Sequence, residues 1–223
     1  MNDLIKTLAS LKFTVGLLVA LLVALAAGTL VESARDTETA GRLVYHSGWF
    51  RAILVLFGVN TLCAILLRWP PNKHRIGFLV THAAMLVILV GALVTDRFKD
   101  EGSLALWEGE ASDTFVASTG ARHSLPFSVR LDDFEIDYYQ GTQRPAMYRS
   151  RVTVLDPEAG GSFPAVIEMN RELTYRGFDF YQSSFQQADG REMSILTVSK
   201  DPGRALVFLG YALLVGGMGT VLG

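Results

Sequence analysis

Cysteine is nearly absent: the 223 residues contain only Cys63. A lone cysteine excludes an internal disulfide and a C-x-x-C pair, so the chain is not itself a thiol–disulfide catalyst. Cys63 reads as a small buried hydrophobe. Also missing are a P-loop, a Rossmann glycine pattern, H-E-x-x-H and C-x-x-C-H. No basic patch offers a grip on nucleic acid. Tryptophan is sparse too, with Trp49, Trp69 and Trp107 well apart.

Charge is scarce in particular places. Runs 13–31, 50–67, 76–95 and 204–223 hold no charged side chain apart from Arg51 and Arg204 at their leading ends. Each is close to the ~20 residues that an α-helix needs to cross a bilayer. The uncharged part of the second, 52–67, is the shortest, and Arg51 extends it by snorkelling while Trp49 sits at headgroup level. These runs account for a chain that is 50% hydrophobic. The expected fold is therefore a membrane α+β protein with four transmembrane helices. Lys6 and Lys12 before the first run, with Ala24-Leu25-Ala26 near its end, admit a signal-peptide reading, but the run is longer than an ordinary signal-peptide apolar region.

Basic residues crowd two places: Lys6 and Lys12 before the first run, and Arg68, Lys73 and Arg75 between the second and third. The positive-inside rule places both in the cytoplasm, with both termini inside and 32–47 and 96–203 outside. Segment 96–203 carries 18 acidic and 11 basic residues, a net charge of −7 hidden under a chain total of −2. It alternates apolar and polar residues at 127–139 and 147–155, and 103–106, 163–169, 173–181 and 193–199 complete a set of short strands. Turn signals such as Gly160-Gly161, Arg176-Gly177, Asp189-Gly190 and Asp201-Pro202-Gly203 separate them. An extracytoplasmic antiparallel β-domain between helices three and four follows, as a sandwich or small open barrel. Phe178, Phe180, Tyr181 and Phe185 read as its core. Asp132, Asp133, Glu135 and Asp137 read as a solvated strand face.

Small residues recur every four positions in the first run, at Gly16, Ala20, Ala24 and Gly28, and again in the fourth at Ala212, Gly216 and Thr220. Such stripes let helices approach closely, either in ordinary bundle packing or as a docking face for another protein. Asn60, in the middle of the second run, requires a partner across the bundle.

The most informative residue is His82. It is the only ionisable side chain in 76–95. An ionisable group inside a membrane segment is costly and points to function, and neutral imidazole is the commonest side-chain metal ligand. Spacing alone leaves open a ligand, a proton relay or a hydrogen bond to a neighbouring helix. His46, His74 and His123 read as surface histidines. With about 1.5 Å per residue, His82 lies roughly 9 Å inside the third helix from its cytoplasmic end, and Ala83 and Ala84 beside it would leave room for a flat ligand.

Several stretches resemble the ResB/CcsB family of system II cytochrome c biogenesis proteins. They are Leu8-Ala9-Ser10-Leu11-Lys12, Gly28-Thr29-Leu30, Trp49-Phe50 with Asn60 and Cys63 ahead of Arg68, and Thr81-His82. The most specific are Gly177-Phe178-Asp179-Phe180-Tyr181-Gln182-Ser183-Ser184-Phe185 and then Asp201-Pro202-Gly203 before the last helix. The external segment is shorter than in many members, and no tail follows the fourth run. The resemblance implies a role in haem delivery across a bacterial inner membrane and attachment to apocytochrome c. It implies a CcsA-type integral membrane partner, whose tryptophan-rich haem-binding segment this chain lacks. It also implies that His82 is an axial ligand of a haem b shared with that partner, in an auxiliary subunit of a haem lyase. The alternatives are a haem-free scaffold whose β-domain holds apocytochrome, and a haem-b electron-transfer subunit. A single membrane histidine disfavours the latter.

Overall fold

A computed structural model describes residues 3–70, 72, 75–188 and 190–222. Lys73 and His74, Asp189 of the Asp189-Gly190 turn, and Gly223 at the end of the fourth run lie outside the described residues. The chain divides into two compact units, Met1–Arg97 with Pro202–Gly223, and Phe98–Asp201.

The first unit is helical. A short α1 (Asp3–Leu8) precedes α2 (Leu11–Ala34), then come α3 (Thr37–Ala40), a π-turn (Gly41–Tyr45), α4 (Gly48–Leu67), α5 (Ile76–Phe98) and, after the second unit, α6 (Arg204–Leu222). Helices α2, α4, α5 and α6 are long and apolar enough to cross a membrane. Serines start two of them: the Ser10 hydroxyl accepts from the Phe13 amide and the Ser47 hydroxyl from the Phe50 amide, each satisfying a donor that the first turn leaves orphaned. Segment 32–47, expected as a plain loop, is instead partly helical. Its π-turn brings Tyr45 against Gly28, where a built Cβ would lie 2.6 Å from the tyrosine Cζ. A side chain at position 28 would make the tyrosine ring move aside.

Asn60 finds the partner its burial demands. It is 3% exposed, donates from Nδ2 to the Leu8 carbonyl and accepts at Oδ1 from the Thr14 hydroxyl at 3.1 Å. It ties α4 to the bend between α1 and α2. The small-residue stripes are used differently from the sequence expectation. In α2, Ala24 and Gly28 are buried while Gly16 has open space around it. In α6, Ala212, Gly216 and Thr220 are exposed, and the buried positions are Gly203 at its threshold, Gly210 and Gly217. These three meet α5: Gly203 abuts Gly91 and Thr95, Gly210 abuts Ala84 and Ile88, and Gly217 abuts Thr81. On α5 the buried small residues are Gly77, Ala84 and Gly91. Both helices repeat every seven residues, two turns at about 3.5 residues per turn, which keeps one seam together along the pair.

The second unit is one antiparallel sheet of eight strands: β1 (Asp100–Trp107), β2 (Ala111–Ala117), β3 (Arg122–Tyr138), β4 (Pro145–Asp156), β5 (Gly161–Glu168), β6 (Leu173–Tyr175), β7 (Phe178–Ala188) and β8 (Arg191–Lys200). The spatial order is β5-β4-β3-β2-β1-β8-β7-β6. The sheet folds over itself, so that strands far apart in this order face one another. Phe127 of β3 meets Tyr175, Phe178 and Phe180 edge-on at 5.0, 5.9 and 6.0 Å, and Phe163 of β5 meets Tyr175 at 5.0 Å. Phe178 and Phe180 are core, Phe185 packs against it, and Tyr181 points outward at 38% exposure. The Ser150 hydroxyl, fully buried, donates to Gln182 and pairs with the Ser194 hydroxyl at 2.7 Å. It bridges the two wings through a satisfied polar core contact.

Strand β2 was not expected. The single strand expected at 173–181 is two, because Arg176 at φ 48° and Gly177 at φ 79° turn the chain between β6 and β7. Glycine is the default in that left-handed region.

Candidate functional site

His82 sits on the second turn of α5, partly buried. Its Nδ1 lies 2.8 Å from the Phe78 carbonyl. A carbonyl only accepts, so Nδ1 carries a proton, and in the neutral form of the ring the lone pair is at Nε2. Among the described residues Nε2 has no hydrogen-bond partner. Metal-ligating histidines are held in this way, with one ring nitrogen donating to a backbone carbonyl and the other left for the metal. The imidazole stacks on the Phe78 ring, with centroids 3.7 Å apart and 27° between planes. The Arg68 guanidinium of α4 lies over the same ring at 4.1 Å. Three side chains from two helices are thus gathered at one end of the bundle.

An apolar groove of about 480 Å³ adjoins this cluster, lined by Phe78, Thr81 and Met85 of α5 and Leu214, Met218 and Val221 of α6. The room expected beside His82 is only half there. Ala83 is exposed, but Ala84 is fully buried, with its carbonyl beside Gly210.

Two other histidines prove to be partnered. His46 Nδ1 is 2.8 Å from Asp96, which also receives Arg51 at 3.0 Å. His123 Nδ1 is 2.7 Å from Asp100. Among the described residues no group of three or more histidine, cysteine or acidic side chains is placed to hold a metal ion. Cys63 is buried and free.

The acidic strand face is a cross-strand ladder. Arg151 bridges Asp133 and Glu135, and Arg149 bridges Glu135 and Glu168. The hydrogen bond from Arg149 holds the Glu135 carboxyl below its ordinary range, and Glu168, then Glu135, push the Arg149 guanidinium up. Asp156, like Asp179, is a buried acid of this unit, 2% exposed. It accepts from the Tyr175 hydroxyl at 2.7 Å, from Arg176 at 2.7 Å and from the amides of Glu158 and Ala159. Burial opposes its charge, but these donors outweigh burial and leave its carboxyl lowered. Every member is satisfied, which marks a structural anchor for the β4–β5 turn.

Sequence reasoning singled out His82 and missed Phe78 and Arg68. One signal was present: Phe78 stands four residues before His82, the spacing at which helix side chains meet. Arg68 lies on another helix and gave no such signal.

The chain is similar to protein NrfI of Wolinella succinogenes, at 25% identity over 96% of this chain and 34% of NrfI. It is similar to the cytochrome c biogenesis protein CcsB of a Synechococcus species, at 26% identity over 82% of this chain and 57% of that protein. It is also similar to the cytochrome c biogenesis protein Ccs1 of Thalassiosira pseudonana, at 21% identity over 82% and 63%. The chain thus spans about a third of NrfI and just over half of CcsB. Among solved structures, the cytochrome c haem lyase CcmF aligns with 92% of this chain and 34% of its own, with a TM-score of 0.46 and 14% identity. Residues 72–195, more than half of the sequence, match the ResB-like family, and the chain belongs to that family.

Proposed function

We propose that this chain is the ResB-type subunit of a cytochrome c biogenesis apparatus, and that it takes part in moving haem across a bacterial inner membrane for attachment to apocytochrome c. In this reading His82 is one axial ligand of a haem b, and a CcsA-type partner supplies the other ligand and the attachment chemistry. One observation carries the reading: the only histidine within a spanning helix has its Nδ1 committed to the Phe78 carbonyl and its Nε2 left over. The donor set suits a haem iron, for which a single neutral imidazole nitrogen is an ordinary axial ligand. Haem held there would supply an iron centre for ligation by the imidazole. The chain's own residues hold the imidazole in one tautomer, stack it and keep one face open at Ala83. With both termini and the α4–α5 link in the cytoplasm, His82 belongs to the inner half of the bilayer, and the β-domain belongs outside.

Membranes co-expressing the chain and its partner test this. His82→Ala should lower the haem content of the complex and cytochrome c output, and added imidazole should restore part of both by filling the vacated position. His46→Ala and His123→Ala should do less. Complexes of His82→Ala that assemble normally, with full haem and an unchanged spectrum, would overturn the ligand assignment in favour of a haem-free scaffold.

A further inference from the structure

We infer that Arg68 is an anion anchor for the same ligand, holding a porphyrin propionate while His82 holds the iron, and that Phe78 spaces the two groups. The inference rests on the haem reading above and adds a residue that the reading does not use.

Three observations carry it. First, Arg68 keeps its charge unpaired. Among the described residues its guanidinium has one hydrogen bond, to the Ala64 carbonyl of α4 at 3.2 Å. Among the described residues no carboxylate lies within ion-pair distance of it. Arg51, Arg130, Arg149, Arg151, Arg176 and Arg191 pair with acids, and among the arginines that do not, Arg68 is the one whose guanidinium lies over the ring stacked on His82. Secondly, this cation is not free to wander. It lies over the Phe78 ring at 4.1 Å, and that ring stacks on His82 at 3.7 Å. Two short steps therefore hold a guanidinium and the His82 imidazole against one ring, no farther apart than those two distances together. Thirdly, apolar and charged surroundings meet at Phe78. The Phe78 ring also lines the apolar groove of Thr81, Met85 and Leu214, whereas Arg68 closes α4 at the end of its apolar run.

The chemistry follows from these positions. A porphyrin has a large apolar face, an iron and two carboxylates on one edge. Guanidinium binds carboxylate through two parallel N–H donors, which a lysine ammonium does not reproduce. An anion at Arg68 would set which edge of the macrocycle enters last and would fix its rotation about the His82–iron bond. Phe78 acts as a positioning residue, since it touches both groups and offers no ligand atom.

The test varies the ligand as well as the protein. The full chain, in nanodiscs of zwitterionic phosphatidylcholine, is titrated with haem and with haem dimethyl ester, whose propionates carry no charge. Wild type should bind haem roughly tenfold more tightly than the ester, the lower end for a hydrogen bond to a charged group. Arg68→Gln should bind both alike, at the wild-type affinity for the ester and with an unchanged absorption spectrum, because the iron ligand is intact. Arg68→Lys should keep part of the preference. Equal binding of the two porphyrins by wild type, or an undiminished preference in Arg68→Gln, overturns the Arg68 inference and leaves the haem reading standing. Failure of wild type to bind either porphyrin, alone and with its partner, overturns the haem reading and the inference with it.

Discussion

Replacing Gly210 by leucine should open the α5–α6 seam, and the structure sets the scale. A built Cβ at Gly210 would lie 2.5 Å from Ile88 Cγ1, 3.1 Å from the Ile88 amide nitrogen and 3.2 Å from the Ala84 carbonyl oxygen. The isoleucine side chain can swing away. The two backbone atoms cannot, so even alanine forces a shift of a few tenths of an ångström. Leucine adds three further carbons and must separate the helices. Overpacking of this kind costs about 1–3 kcal/mol, or roughly five- to 150-fold in the population of the closed pair. Cysteines introduced at Met85 and Leu214, which flank one groove, report the closed state by their rate of disulfide formation in membranes, in a Cys63→Ser background. The rate should fall by a factor in that range in Gly210→Leu. Gly216 is the control, since a Cβ built there meets no atom of another helix within 4 Å, and Gly216→Leu should leave the rate alone. A slow Gly216→Leu together with an unaffected Gly210→Leu would refute the seven-residue seam and restore the four-residue stripe expected from the sequence.

Cys63→Ser by itself should leave cytochrome c maturation almost intact, because no second thiol exists in the chain and the hydroxyl can bond within its own helix; a loss rescued by added thiol reagents would contradict this. A cysteine placed at Asn72 should react with impermeant label only after the membrane is permeabilised, and labelling of intact cells would invert the proposed topology. The β-domain should lose stability in acid. The lowered pKa values of Asp156 and Glu135 mean a contribution that is whole above the usual carboxylate range and is lost as pH falls through the depressed folded values. Trp107 fluorescence in denaturant at stepped pH should show this, with a shallower acid dependence in Asp156→Asn; identical slopes would remove Asp156 from the account.

The apolar helices were legible because their signal is simple: a run of the right length without charge. His82 was legible for the same reason, as the one exception within a run. The longer alternating strands β3 and β4 followed from their period of two. Strand β2, Ala111–Ala117, did not, because its sequence puts Ser112, Asp113 and Thr114 together at a register shift against β3, which breaks the alternation. The α6 seam was misread through its period. A spacing of four is the habit of right-handed crossings, whereas Gly203, Gly210 and Gly217 follow a spacing of seven. The remainder of the site was hidden because it joins distant positions. Nothing local in Arg68 points to Phe78, and nothing in His46 points to Asp96. Such pairs exist only once the helices have packed.

The close approach of Gly203 to Thr95 and Gly91 also bears on the order of assembly. Helices α5 and α6 are separated in the chain by the whole second unit, Phe98–Asp201. Bringing the ends of a flexible loop of that length together costs about 4 kcal/mol of chain entropy, comparable to all that a seam of small residues can return. The sheet removes that cost. Its first and last strands are neighbours, paired from Asp100↔Lys200 onwards, so a folded sheet already delivers its two ends side by side. The helix pair is then an almost intramolecular encounter at high effective concentration. The seam should therefore close late, after the sheet has folded, and a mutation that unfolds the sheet should unfasten α6 without touching a single residue of the membrane region.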